Sequence, residues 1–186
     1  SLRDTVGFEE TSAHMFVILV GNAYKTLARP NDALKLHEPA AETMERRLGH
    51  EHRETLAAKY NVAQDYNLAG RRTEAIVLAR ELVDAFERTM GPDHVDTLSS
   101  KEALAGFLMG VDQTREAISI AEKVLEVRRR TLRPDDPLIL TTMNTLAVAY
   151  SHADLFEKSI DLSAEVLNVR KRLLGPTHAD TIVAQN

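Results

Sequence analysis

Hydrophobic positions along the chain follow the helical period. Leu56, Ala63 and Tyr66 recur on one helix face, and Gly70 stops that run as a left-handed C-terminal cap would. A second run places Ala75, Ile76, Ala79, Leu82, Val83 and Phe86 on one face and ends at Gly91-Pro92. Sustained period-2 alternation is missing and β-branched residues are scattered, so no strands are predicted. The two-helix unit then repeats. Gly7, Gly49 and Gly91 stand 42 residues apart and Gly175 lies 84 beyond Gly91; His52, His94 and His178 keep the same steps, as do Thr55, Thr97 and Thr181. Tyr24, Tyr66, Leu108 and Tyr150 are in register, and Arg46, Arg88, Arg130 and Arg172 form a further column. Gly21, Ala63, Ala105 and Ala147 in the first helices, and Ala33, Ala75, Ala117 and Ser159 in the second, are small enough to let paired helices approach closely. One hairpin cannot bury its apolar stripe alone, so neighbours must stack. Ile76, Ile118 and Ile160 are therefore expected in equivalent buried layers.

The pattern Val62-Ala63, Tyr66, Gly70-Arg71 and Glu74-Ala75, closing with Gly91-Pro92-Asp93-His94 and Thr97-Leu98, resembles the tetratricopeptide repeat (TPR) family. The 42-residue unit, the long second helix and the Gly-Pro-x-His linker are similar to its kinesin-light-chain-like branch. The resemblance implies an all-α fold, a right-handed α-α superhelix (TPR solenoid) of about four helix-turn-helix repeats. It divides a single array over 1–186 into the tail of a preceding repeat (1–10), repeats at 11–52, 53–94, 95–136 and 137–178, and the start of a fifth (179–186). On that register the chain is expected to be a segment of a longer array or multidomain protein, without a polar capping helix.

What the resemblance implies for function is a non-enzymatic scaffold that holds a peptide or protein segment in a concave groove lined by first helices. Carried over by position, the groove residues of repeat 1 are Met15, Ile18, Leu19, Asn22 and Lys25. Repeat 2 supplies Ala57, Tyr60, Asn61, Gln64 and Asn67, and repeat 3 Ser99, Glu102, Gly106 and Met109. Repeat 4 supplies Thr141, Asn144, Thr145, Val148, Ser151 and His152. Asn61 and Asn144 stand where the kinesin-light-chain pattern has paired asparagines, and an amide can both donate to and accept from a ligand backbone. The cationic set that clamps a C-terminal carboxylate in chaperone-binding relatives is missing, since only Lys25 is cationic here. The alternative reading is a regulatory module of a larger signalling protein, such as a kinase or nucleotide-binding switch ATPase. It would pack on domains of its own polypeptide or on a second copy of itself, through the exposed apolar ends of an uncapped solenoid.

Composition narrows the chemistry. Among 186 residues there are no Cys and no Trp, which excludes a disulfide framework, a thiolate metal site and a Cys nucleophile. The longest apolar stretch, Met15 to Val20, is far shorter than the roughly 20 residues of a spanning helix, and Ser1 to Glu10 has no signal-peptide pattern. A soluble, cytoplasmic chain is expected, with no membrane partner. The 23 Lys+Arg against 28 Asp+Glu give a net charge of −5, which disfavours nucleic acid. The basic runs Arg46-Arg47, Arg128-Arg129-Arg130 and Arg170-Lys171-Arg172 fall in last turns of second helices, where cations face the helix dipole favourably. His50-Glu51-His52 has the residue types of a zinc site, yet His52 belongs to the repeat column with His94 and His178 at helix starts, which predicts a capping or packing role. Asp136-Pro137 fills the same place as N-cap and first helical residue. No nucleophile elbow, phosphate-binding Gly-rich loop or His-Glu-x-x-His occurs, so no catalytic residue, metal or cofactor is expected.

Two places break the pattern. Pro39 sits within the second helix of repeat 1, where a missing donor and a ring clash cost about 3 kcal/mol, so a kink or break is predicted near His37 to Ala40. Repeat 3 has Leu108 for the Tyr, Arg133 for the linker Gly, and both Gly106 and Gly110 in its first helix. Drift in a tolerant scaffold accounts for these, or Gly106 opens space in the groove for a ligand backbone.

Overall fold

The computed structural model describes residues 17–174. Among them are eight helices and no strand: α1 over 17–26, then α2 (Pro30–Leu48), α3 (Arg53–Leu68), α4 (Arg72–Met90), α5 (Val95–Met109), α6 (Thr114–Thr131), α7 (Pro137–His152) and α8 (Phe156–Leu174). Met15, Gly175, His178, Thr181, the segment 1–10 and the fifth-repeat segment 179–186 lie outside the described residues. The chain divides between Ser100 and Lys101 into two compact units, and α5 carries the division.

In the first unit α2 packs on α3 and α3 on α4. Leu34, Ala41, Met44, Ala58 and Val62 form a buried cluster, with Ile18, Tyr66, Ala69 and Leu78 packed against it. In the second unit α7 packs on both α6 and α8. Val124, Leu125, Ile139, Met143, Leu146, Ala147 and Val166 are buried there. The small-residue columns fall inside: Ala63, Ala75, Ala105, Ala117 and Ala147 are all buried.

The turns show why the repeat keeps its period. Ala28, Gly70, Asp112 and Asp154, spaced by 42, all adopt positive φ (54°, 79°, 59° and 57°) at the end of a first helix. Gly49 and Gly91 do the same after second helices, at φ 98° and 92°. Helix starts are capped as the columns predict. The His52 imidazole accepts from the Glu54 amide at 3.3 Å and His94 from the Asp96 amide at 3.2 Å. The Asp136 carboxylate accepts from the Leu138 amide at 2.8 Å, with Pro137 following. Where Arg133 replaces the linker glycine, α6 ends at Thr131 and Leu132 closes it in an extended conformation instead.

Three expectations are corrected. α2 runs unbroken through Pro39. The ring is exposed, while Ala33, Leu34, His37, Ala40, Ala41 and Met44 bury the opposite stripe on both sides of it, so packing outweighs one lost hydrogen bond. The isoleucine column is not uniformly buried: Ile76 and Ile118 are half-buried, and Ile160 is 66% exposed on α8, the last described helix. Gly110 lies just beyond α5 rather than inside it.

Candidate functional site

In the first unit the expected groove positions meet across α1 and α3. Lys25 Nζ donates to Gln64 Oε1 at 3.2 Å and to Asn61 Oδ1 at 3.4 Å. Burial strips water from this ammonium and holds its pKa below the usual lysine value, with the Asp65 carboxylate pulling the other way. Asn22 and Asn67 are half-buried on the same two helices. Tyr60 and Asn61 open, with Ala57 and Ser99, onto a cavity of about 380 Å³ between α3 and α5. Phe86, Ser100, Glu54 and the ion pair Arg53–Asp96, at 3.2 Å, complete its wall.

Next to this network lies a pair that the sequence pattern did not reveal. His37 Nδ1 meets Asp65 Oδ2 at 2.5 Å, and both side chains are almost fully buried. His37 Nε2 lies 3.3 Å from the Ile18 carbonyl. Gly21 makes this possible, because a Cβ there would overlap the imidazole. A signal existed. In repeat 1 Gly21 replaces the Ala of its column and His37 replaces Ala79 and Ala121; in repeat 2 Asp65 stands where the other repeats have Ala23, Phe107 and Ala149.

In the second unit Glu102 pairs at 2.8 Å with Arg128, itself 1% exposed. The same guanidinium nitrogen donates to the Leu138 carbonyl at 3.0 Å and to Thr142 Oγ1 at 2.5 Å. The first arginine of the basic run is thus a core residue. Asn144 and Thr145 are half-buried and Ser151 is exposed on α7. Gly106 is half-buried, and a Cβ there would meet nothing within 4 Å, so no neighbouring side chain demands a glycine. A second cavity, about 540 Å³, lies among α6, α7 and α8; Tyr150 on its wall donates to Glu122 at 2.7 Å.

The His50-Glu51-His52 run disperses. His50 donates to Glu45, Glu51 accepts two hydrogen bonds from Arg88, and His52 caps α3. The Glu45 carboxyl, bonded by His50 and Lys59, is held below its usual range. No group of three or more His, Asp or Glu side chains among the described residues is arranged to hold a metal ion. No helix among them is long and apolar enough to cross a membrane.

The stacked hairpins coincide with a known family model. Residues 12–88 and 96–171 match the tetratricopeptide repeat model. The chain belongs to the tetratricopeptide repeat family. Among solved structures it is similar to a putative kinesin light chain of Podosopora anserina with nearly identical TPR-like repeats. That likeness has a TM-score of 0.80 and 25% identity, over 94% of this chain and 82% of that one. It is also similar to BtubC (BKLC) from P. vanneervenii, with a TM-score of 0.74 and 19% identity over 87% of this chain and 65% of that one. A Rap protein complexed with Competence and Sporulation Factor gives a TM-score of 0.74 and 13% identity, over 92% of this chain and 46% of that one. No curated protein sequence matches the chain. A TPR array of the kinesin-light-chain-like kind is a fold typical of protein-interaction modules.

Proposed function

We propose that the chain is a non-enzymatic, cytoplasmic scaffold that binds a peptide or protein segment along its first helices. The division at 11–52, 53–94, 95–136 and 137–178 gives the modules of that scaffold. The observation that carries this reading is the Lys25–Asn61–Gln64 network. It ties two successive first helices together and leaves each amide with hydrogen-bonding capacity for a ligand backbone. Asn22, Tyr60, Asn67, Glu102, Gly106, Asn144, Thr145 and Ser151 extend the candidate surface, with Glu102 held back by Arg128. Rap offers an example of the same fold in complex with a named factor; at that identity the likeness is one of fold alone, so the reading rests on this chain's residues. Alanine at both Asn61 and Asn144 is expected to weaken capture of a co-purified partner while leaving the melting temperature nearly unchanged. Equal capture by the double variant would overturn the assignment.

The second reading, self-assembly or packing on another domain, is favoured by Leu155, Phe156 and Ile160, which are 41%, 56% and 66% exposed at the start of α8. Sedimentation at several concentrations separates the readings: a monomer throughout argues against homo-oligomers.

A further inference from the structure

The cavity between α3 and α5 has a counterpart one repeat later, and the chain fills that counterpart itself. A shift of 42 residues carries Tyr60 to Glu102, Phe86 to Arg128 and Ser100 to Thr142. In the later repeat the Arg128 guanidinium sits against Glu102 and Thr142, with a hydrogen bond to each. In the earlier repeat Phe86 occupies the arginine's place, and a cavity of about 380 Å³ remains. Ser100, the position equivalent to the threonine that accepts from Arg128, lines this cavity. Its side chain is 2% exposed, and its Oγ has no hydrogen-bond partner among the described residues. A buried hydroxyl without a partner is unfavourable unless something else completes it.

We propose that this cavity is a binding subsite for an arginine side chain of the ligand. The subsite rests on the groove reading given above and adds the ligand's chemistry to it. Phe86 and Tyr60 offer aromatic surface on which a planar guanidinium stacks, and Ser100 Oγ accepts one of its N–H groups. The wall carries two carboxylates, Glu54 and Asp96, against the single guanidinium of Arg53, so its charge suits a cation. An incoming arginine enters from outside the repeat, whereas Arg128 reaches the equivalent place from its own second helix.

The probes are N-acetyl-arginine amide, N-acetyl-lysine amide and N-acetyl-citrulline amide, titrated into the full chain while backbone amide resonances are followed by NMR. The arginine probe is expected to give saturable shifts at Ala57, Tyr60, Ser99 and Ser100, with lysine and citrulline at least several-fold weaker. Phe86→Arg, which reproduces the later repeat, should abolish the response. Ser100→Ala removes the acceptor without opening a void and should weaken the arginine probe by on the order of tenfold. It keeps the test decisive if Phe86→Arg does not fold. Absence of saturable shifts, equal binding of all three probes, or unchanged binding by Ser100→Ala would each overturn the subsite. Those outcomes leave the groove reading standing, because Asn61 and Asn144 are tested by partner capture rather than by a free amino-acid derivative.

Discussion

The two units bury polar side chains in opposite ways. In the first, His37 and Asp65 face each other across α2 and α3, and a glycine on α1 clears the space. In the second, one long side chain, Arg128, reaches from α6 to Glu102 on α5 and to Leu138 and Thr142 on α7. Burying a charge is unfavourable unless it is paired and hydrogen-bonded. Each unit meets that demand only because several repeat columns change together. A repeat scaffold thus tolerates a polar core residue where its partners have departed from the consensus in concert, and the departure rather than the consensus marks the site.

The largest expected effect tests the arginine. Arg128→Ala leaves Glu102 and Thr142 with an uncompensated buried environment and should destabilise the chain by about 3 to 5 kcal/mol in urea unfolding. Replacing the group by its equivalents from the preceding repeat, Glu102→Tyr with Arg128→Phe and Thr142→Ser, should recover part of that loss, since apolar substitutes for buried ion pairs are often neutral while the cavity that this set leaves between α3 and α5 remains a cost. A cost for Arg128→Ala below about 1 kcal/mol, the level of a surface pair, would break the comparison at its root.

The first unit provides the next test. At Gly21 the added methyl of Gly21→Ala collides with a ring fixed at both nitrogens, so overpacking should destabilise by about 1 to 3 kcal/mol. In a His37→Ala background, which gives repeat 1 the residue of repeats 2 and 3, the same change should cost far less. Additive losses in this double-mutant cycle would mean that Gly21 serves something other than the imidazole.

The period, the helix pairs, the histidine caps and the Asp136 cap were legible in the sequence because each is a local rule repeated at one offset. Breaks were misjudged where tertiary packing decides. At Pro39 the local rule predicts a kink or break, yet no break occurs, because the buried stripe of the helix lies on the opposite side. Ile160 looked like core, although its column is buried only in part in the preceding repeats. Of the candidate site, Lys25, Asn61 and Gln64 do converge, whereas Glu102 is engaged by a core arginine that charge-run reasoning placed at a helix end. Column averages cannot show such a pairing; column exceptions taken jointly can, as Gly21, His37 and Asp65 illustrate.

The tyrosine column gives the smallest and most local contrast. Tyr66 donates to Glu38 at 2.6 Å with Arg71 4.2 Å over its ring. Tyr150 donates to Glu122 at 2.7 Å with Lys158 at 5.3 Å. Burial raises both phenol pKa values, and the glutamate bond raises them further; at Tyr66 the Arg71 charge pulls back, while Tyr150 is pushed up to about 12. A phenol that holds its proton more tightly when folded contributes its full stabilisation below the unfolded value of 10.0 and loses it as pH rises through about 12. A pH jump read by phenolate absorbance before unfolding should therefore show Tyr150 ionising late. Glu122→Gln should move its midpoint part of the way back toward 10, since burial remains, and leave Tyr66 where it was; Arg71→Ala should instead raise Tyr66 and leave Tyr150 alone. A midpoint for Tyr150 that ignores Glu122→Gln would assign the whole shift to burial and remove the glutamate bond from the contrast.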